Sequence, residues 1–203
     1  MNKENIKTIL EKTKGINLVV ASKYIDANAI LELYHLGIKD FGENRTDAFL
    51  EKYNALKDKG ITWHFIGHLQ TNKAKQVVDK IDYLHSLDSL KLADIINKNR
   101  SKKLKCFVEV HMTNSLTKSG VRKDELASFL NALKAYEKVE VIGLMTMTEE
   151  AQSDEEKYQV FSSLKQLADE NNLKELSMGM SEDYKLAIKA GATYIRLGRI
   201  ICK

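Results

Sequence analysis

NLVVASKYIDANAILELYHLG, residues 17–37, reads as one complete unit of structure. After Asn17 the run is small and β-branched, as in a short buried strand, and Lys23 stands directly past its end. The period then changes. Ile30, Leu31, Tyr34 and Leu36 fall mainly on one face of a helix, and Gly37 follows as a stop signal. The same order of strand, turn and amphipathic helix recurs along the chain, with strand patterns at 18–22, 39–42, 62–66, 83–86, 105–111, 140–145, 175–178 and 193–197. KDELASFLNALKAY (123–136) and DEEKYQVFSSLKQLADEN (154–171) are two of the intervening helices.

Regular βα alternation implies parallel strands joined by right-handed crossovers. Eight strand patterns predict an α/β fold, a closed (β/α)8 TIM barrel, with an open doubly wound sheet as the rival that the pattern leaves standing. The polar amphipathic stretch MNKENIKTILEKTKG (1–15) precedes the first strand, and only six residues follow Leu197. The first helix is therefore expected to complete the outer ring.

Composition bounds the function. A chain of 203 residues, 43% apolar and 30% charged, is predicted to form one domain over 1–203. Its net charge of +4 is spread along the sequence, and the densest basic stretch, KNRSKKLK (98–105), has no aromatic interleaving. No nucleic-acid partner is expected. Cys106 and Cys202 lie far apart, the N-terminal stretch is no signal peptide, and no apolar run approaches the ~18 residues of a membrane span. A reduced, cytoplasmic setting without membrane contact follows. His64 and His68 fall on a strand-to-turn segment without the helical geometry of a two-histidine ligand pair, so no metal is expected.

In a parallel barrel, function gathers at the C-terminal ends of the strands, and that gives Lys23 an address. Polar clusters recur at the equivalent places: FGENR (41–45), HFIGHLQTNK (64–73), HSLDS (85–89), TKSGV (117–121), GLMTM (143–147), SMGMS (177–181) and RLGR (196–199). Taken singly, Asn44, Ser89 and Ser181 read equally well as helix N-caps. The last two clusters say more, because that corner of a barrel commonly holds phosphate. Ser177 and Ser181 offer hydroxyls, Gly179 a close backbone approach, a helix opening near Ser181 its free N–H groups, and RLGR a second glycine, Gly198, between two arginines. Closing the barrel sets strand eight beside strand one. A lysine amine near other cations and partly desolvated has a lowered pKa and attacks aldehydes, so Lys23 beside a phosphate site suits a phosphorylated aldehyde held as a Schiff base.

VVASKY (19–24), FGENR, WHFIGHLQTNK (63–73), HSLDS, TKSGV, GLMTM and LSMGMSEDYKLAIKAGATYIRLGR (176–199), in this order, resemble the pyridoxal phosphate homeostasis proteins. These are single-domain barrels, related to the N-terminal domain of alanine racemase, that bind pyridoxal 5'-phosphate (PLP). The resemblance runs from about residue 18 to 201. It implies that Lys23 joins PLP as a Schiff base, and that Ser177, Ser181 and the backbone near Gly198 hold its phosphate. It further implies that Arg196 faces the pyridine nitrogen, that Asn44, His64 and Met145 line the ring and its 3-oxygen, and that Lys118 lies near the cofactor mouth. Arg199 departs from the family pattern, which usually has threonine there.

An arginine opposite the ring nitrogen opposes its protonation and weakens the electron sink. Racemisation also needs groups on both faces of the cofactor, and in alanine racemase one of them comes from a further domain that these residues do not include. The resemblance thus implies a non-catalytic PLP carrier acting in vitamin B6 homeostasis. Its partners would be PLP and, transiently, PLP-dependent apoenzymes, and the chain is expected to be a monomer. A weak PLP-dependent amino-acid racemase and a Schiff-base aldolase are the alternatives.

Overall fold

The computed structural model describes residues 3–112 and 119–202. After helix α1 (Lys3–Lys12) come β1 (Asn17–Ala21), α2 (Ala27–His35), β2 (Asp40–Glu43), α3 (Thr46–Leu56), β3 (Thr62–Phe65), α4 (Thr71–Val77), β4 (Tyr83–Leu87) and α5 (Leu90–Asn99). The second half runs β5 (Leu104–His111), β6 (Val121–Arg122), α6 (Leu126–Leu133), β7 (Val139–Met145), α7 (Asp154–Glu170), β8 (Glu175–Ser177), α8 (Tyr184–Lys189), β9 (Tyr194–Leu197) and α9 (Arg199–Cys202).

Eight of these strands pair in parallel around a ring, β1-β2-β3-β4-β5-β7-β8-β9, and β9 returns to β1. The fold is the closed (β/α)8 barrel, and the open sheet is excluded by the β4–β5 and β9–β1 pairings. Among the described residues one strand went unforeseen: β6 adds two residues to the outer part of β5, pairing Val110 with Val121. So short a segment carries no period to detect.

Two hydrophobic regions hold the molecule. The larger lies between the strands and the helices and includes Phe41, Phe49, Phe65 and Phe161. The smaller, Val19, Phe107, Met145 and Tyr194, fills the barrel itself. The helix after β1 shows how the faces are chosen. Asp26 caps it by accepting from the Ala29 N–H at 2.9 Å, and Ile30 with Leu33 forms its fully buried stripe. Leu31, Tyr34 and Leu36 only flank that stripe, because Leu33 three residues after Ile30 points the same way.

α1 buries Ile6 and Ile9, and the Asn5 side-chain amide donates to the Ile200 carbonyl at 3.0 Å. The helix after β9 is four residues long. α1 thus lies against it and completes the outer layer. Among the described residues no helix is long and apolar enough to cross a membrane.

Candidate functional site

A cavity of about 460 Å³ opens at the C-terminal mouth of the barrel. Lys23, Asn44, Met145, Ser181, Arg196 and Gly198 all line it, so strands distant in sequence deliver these six expected residues to one place. His64, Ser177 and Gly179 do not line it. Lys118 and Thr117 lie outside the described residues.

Lys23 belongs to a 3-10 turn, residues 22–24, that continues β1 past its last pairing. The side chain is exposed, with Nζ 4.8 Å from the centre of the Tyr24 ring, so the partial desolvation expected of it is absent. The turn is anchored from beneath. Lys52 on α3, itself buried, donates to the Ser22 carbonyl at 2.7 Å and pairs with the fully buried carboxylate of Glu43. Ser22 Oγ donates to Glu43 at 3.0 Å, and Glu43 Oε2 accepts from the Asn44 N–H at 3.2 Å. One buried ion pair therefore fixes both Lys23 and Asn44 at the lip. Nothing in the sequence marks Glu43 and Lys52 as a pair, because a helical lysine nine residues on carries no sign of being buried. Gly67 matters for the same corner: a Cβ there would stand 2.6 Å from the Asn44 carbonyl oxygen, so only glycine lets Asn44 approach.

Asn44 Oδ1 is buried and meets no hydrogen-bond partner among the described residues. A buried amide left unpaired costs roughly 1–3 kcal/mol, so its partner is expected to come with a ligand.

Ser181 Oγ accepts from the Gly198 and Ile200 N–H groups at 3.3 and 3.4 Å, which joins the β8 and β9 turns across the cavity wall. The expected helix opening near Ser181 is corrected: α8 begins at Tyr184, behind Asp183, whose carboxylate takes the Met180 N–H at 2.6 Å. Gly179 turns with φ +93° and packs toward Ala187, away from the cavity, so its part is to bend the chain. Arg199 pairs with Glu182 at 2.7 Å on the rim, both side chains half exposed.

Arg196 is 4% exposed. Its Nη1 donates to the Ser177 carbonyl at 2.9 Å and to Ser177 Oγ at 2.5 Å, and its Nη2 donates to the Thr146 carbonyl at 3.1 Å. Burial lowers its pKa to about 10, opposed by the charges of Asp183 and Glu109. Glu109, also missed from sequence, lines the cavity, accepts from Ser119 Oγ at 2.7 Å and has its pKa raised by burial. Its place on β5 was legible only as strand.

Ser177 and His64 are buried in the barrel interior beneath the cavity. Neither side chain faces the cavity: Ser177 is taken up by Arg196 and His85, and His64 by His85 and Asp40. His68 is separate, 3.2 Å from Asp88. Among the described residues no group of three or more His, Cys, Asp or Glu is placed to hold a metal.

The family model of the alanine racemase N-terminal domain matches residues 2–202. A pyridoxal phosphate homeostasis protein of Aquifex aeolicus is 40% identical over 193 residues, covering 91% of this chain and 85% of that one. PipY of Synechococcus elongatus, solved without and with PLP, superposes with TM-scores of 0.94 and 0.91 at 31% identity, over 100% and 99% of both chains. An alanine racemase of Clostridium difficile shares the fold at a TM-score of 0.76 and 15% identity, over 98% of this chain and 55% of that one. The chain belongs to the alanine racemase N-terminal-domain family, in its pyridoxal phosphate homeostasis protein branch.

Proposed function

We propose that residues 1–203 form one PLP-binding barrel that holds and releases PLP in vitamin B6 homeostasis and does not turn over substrate. The observation that carries this reading is the convergence on one cavity of an accessible lysine amine, a buried amide oxygen without a partner among the described residues, and a buried guanidinium. A volume of about 460 Å³ is in the range of small-molecule sites, commonly about 300–1,000 Å³.

The donor set fits PLP. Lys23 would take the aldehyde, and Asn44, whose amide can turn to present either oxygen or nitrogen, would meet a polar substituent of the ring. Ser181 with the Gly198 and Ile200 N–H groups would hold the phosphate, and Arg199 stands beside them on the rim. Met145 would give the ring an apolar wall. When bound, PLP supplies an aldehyde for a lysine amine and a pyridine ring whose electron withdrawal depends on the proton at its nitrogen. Arg196 has no proton acceptor to offer that nitrogen and remains cationic at physiological pH even with its pKa lowered to about 10. Its field opposes a second positive charge beside it, which favours retention over carbanion chemistry.

The partners on this reading are PLP and, transiently, PLP-dependent apoenzymes, with the chain a monomer. The test is the visible spectrum of the PLP-incubated protein before and after borohydride, followed by peptide mapping. A pyridoxyl group on Lys23, lost in Lys23→Ala, is the expected result. A reduced adduct on Lys118 or Lys157 instead overturns the assignment, and wash-out of α-deuterium from labelled alanine at ordinary enzyme rates, of order 1 s⁻¹ or faster, overturns the carrier reading in favour of a racemase.

A further inference from the structure

Beneath the cavity five side chains from five strands are linked end to end. Arg196 Nη1 meets Ser177 Oγ at 2.5 Å, and Ser177 Oγ meets His85 Nδ1 at 2.7 Å. His85 Nε2 meets His64 Nδ1 at 2.9 Å, and His64 Nε2 meets Asp40 Oδ1 at 3.0 Å. Arg196, Ser177, His85 and His64 are buried, while the Asp40 side chain is 37% exposed. Asp40 opens β2, so it stands at the N-terminal mouth, the opposite end of the barrel from the cavity.

The chain has a single direction. A guanidinium only donates and an ionised carboxylate only accepts. Ser177 Oγ receives from Arg196, so its own O–H goes to His85 Nδ1. His85 must then carry its proton on Nε2 and give it to His64 Nδ1, and His64 must carry its proton on Nε2 and give it to Asp40. Were His85 protonated on Nδ1, the buried Ser177 hydroxyl would have no acceptor among the described residues. The two ends therefore demand the same assignment, with both imidazoles neutral. Burial supports this by lowering both histidine pKa values, against the pull of Asp40 and Asp82 on His64 and with the push of Arg196 on His85.

The surroundings keep the chain dry and fixed. His64 stacks on Tyr83 with ring centres 4.4 Å apart, and His85 lies 4.6 Å from Phe107. Hydrogen bonds in such a sleeve polarise one another more than in water.

We propose that Ser177, His85, His64 and Asp40 form a polarised relay through the barrel core that holds Arg196 toward the cofactor cavity, with Asp40 at the far mouth as its terminal acceptor. They are positioning residues for Arg196, and the part of the proposal that concerns the cofactor rests on the PLP reading above. Three of the guanidinium's contacts go to Ser177 and Thr146, which leaves other N–H groups of Arg196 for the cavity it lines.

The experiment begins on cofactor-free protein labelled with ¹⁵N-histidine, where two-bond ¹H–¹⁵N spectra report which ring nitrogen bears the proton. Wild type is expected to show His64 and His85 as neutral Nε2–H tautomers. In Asp40→Asn, an amide that can donate as well as accept, both histidines are expected to become tautomer mixtures, although His85 does not touch residue 40. Asp40→Glu is expected to restore the wild-type pattern. PLP affinity, measured by equilibrium absorbance, is expected to weaken about three- to tenfold in Asp40→Asn, as for partial loss of a charge-assisted hydrogen bond, and to recover in Asp40→Glu. The Asp40 side chain is 37% exposed, and an unchanged thermal midpoint confirms that the variant is folded. An Nδ1–H tautomer at His85 in wild type overturns the relay, as does an Asp40→Asn variant that alters His64 and leaves His85 and PLP affinity unchanged. Absence of any borohydride-fixed group on wild-type Lys23 overturns the PLP reading, and because the tautomers are read without cofactor the two failures are told apart.

Discussion

Replacing Gly143 with alanine is expected to cost both stability and the site. β7 carries one extra residue at this point: Val141 pairs with Cys106 and Gly143 with Phe107, so Ile142 is a bulge against β5. The bent strand is pressed onto β8, where Gly143 pairs with Glu175. A Cβ at residue 143 would stand 1.9 Å from the Glu175 carbonyl oxygen and 2.5 Å from its carbon, against 3.4 Å or more for ordinary contact. The strands must part, and the β7–β8 ladder has only the pairs Gly143–Glu175, Leu144–Leu176 and Met145–Ser177 to lose. Overpacking of about 1–3 kcal/mol, with one or two backbone hydrogen bonds at about 1 kcal/mol each, outweighs the gain of about 0.4–1 kcal/mol from a stiffer unfolded chain. A net loss of about 1–4.5 kcal/mol follows. The same ladder carries Ser177 and leads into Thr146, the two residues that hold Arg196, so PLP retention should fall as well. Urea unfolding and PLP titration of Gly143→Ala measure the two effects. A variant within about 0.5 kcal/mol of wild type would falsify the claim that this glycine exists for a close strand approach.

Gly198→Val separates binding from folding, because a Cβ at 198 meets only Ala21, at 3.3 Å from its Cβ, and otherwise faces the cavity. PLP affinity is expected to fall at least about tenfold, or 1.4 kcal/mol, with little change in the urea midpoint; unchanged affinity would place the phosphate elsewhere. Lys52→Met leaves the fully buried Glu43 carboxylate without its cation, and breaking such a pair costs about 3–5 kcal/mol. Urea unfolding checks this, and a loss below about 1 kcal/mol would show that Glu43 finds another partner. Stability should also depend on pH through His64 and His85. Both have folded pKa values lowered by burial below the ordinary imidazole value of 6.5, so the unfolded chain binds more protons as pH falls through that value. Their contribution is complete above pH 6.5 and is lost below it, at about 1.4 kcal/mol per pH unit for each imidazole until the folded pKa is reached. Urea midpoints at pH 7.5, 6.5 and 5.5 measure it, and equal stability at all three would mean the imidazoles are not buried neutral.

The sequence carried the barrel because its signal is periodic. Each strand is a short apolar run between turn residues, and the ring of pairings follows from eight such runs. The lip of the cavity was legible for a related reason: Lys23, Asn44, Ser181, Arg196 and Gly198 stand at or just past strand ends, where a parallel barrel collects function. What stayed hidden depends on which way a side chain turns. His64 and Ser177 lie within strands, β3 and β8, and alternation alone does not tell whether a polar residue near a strand end faces the cavity or the interior below it. Lys52 and Glu43 were invisible for the opposite reason, since buried charges look like surface charges until their partner is placed.

The inward turn of His64 and Ser177 makes them part of a larger set of interior polar residues. A barrel of this kind is usually filled by branched apolar side chains, yet here Asp40, His64, His85, Ser177 and Arg196 run through it beside Val19, Phe107 and Met145. A partly satisfied polar network in such a place is worse than an apolar core. This one is satisfied along its length, from a donor-only end at the cavity to an acceptor-only end at the opposite mouth. Packing alone would be served as well by leucine or valine at 64 and 85. The guanidinium cannot be: Arg196 has no carboxylate within hydrogen-bond reach among the described residues, and Ser177 with the imidazoles behind it adds a side-chain acceptor to the Ser177 and Thr146 carbonyls that also receive it. The cost of threading polar groups through the core is thus tied to keeping one positive charge fixed beneath the cavity.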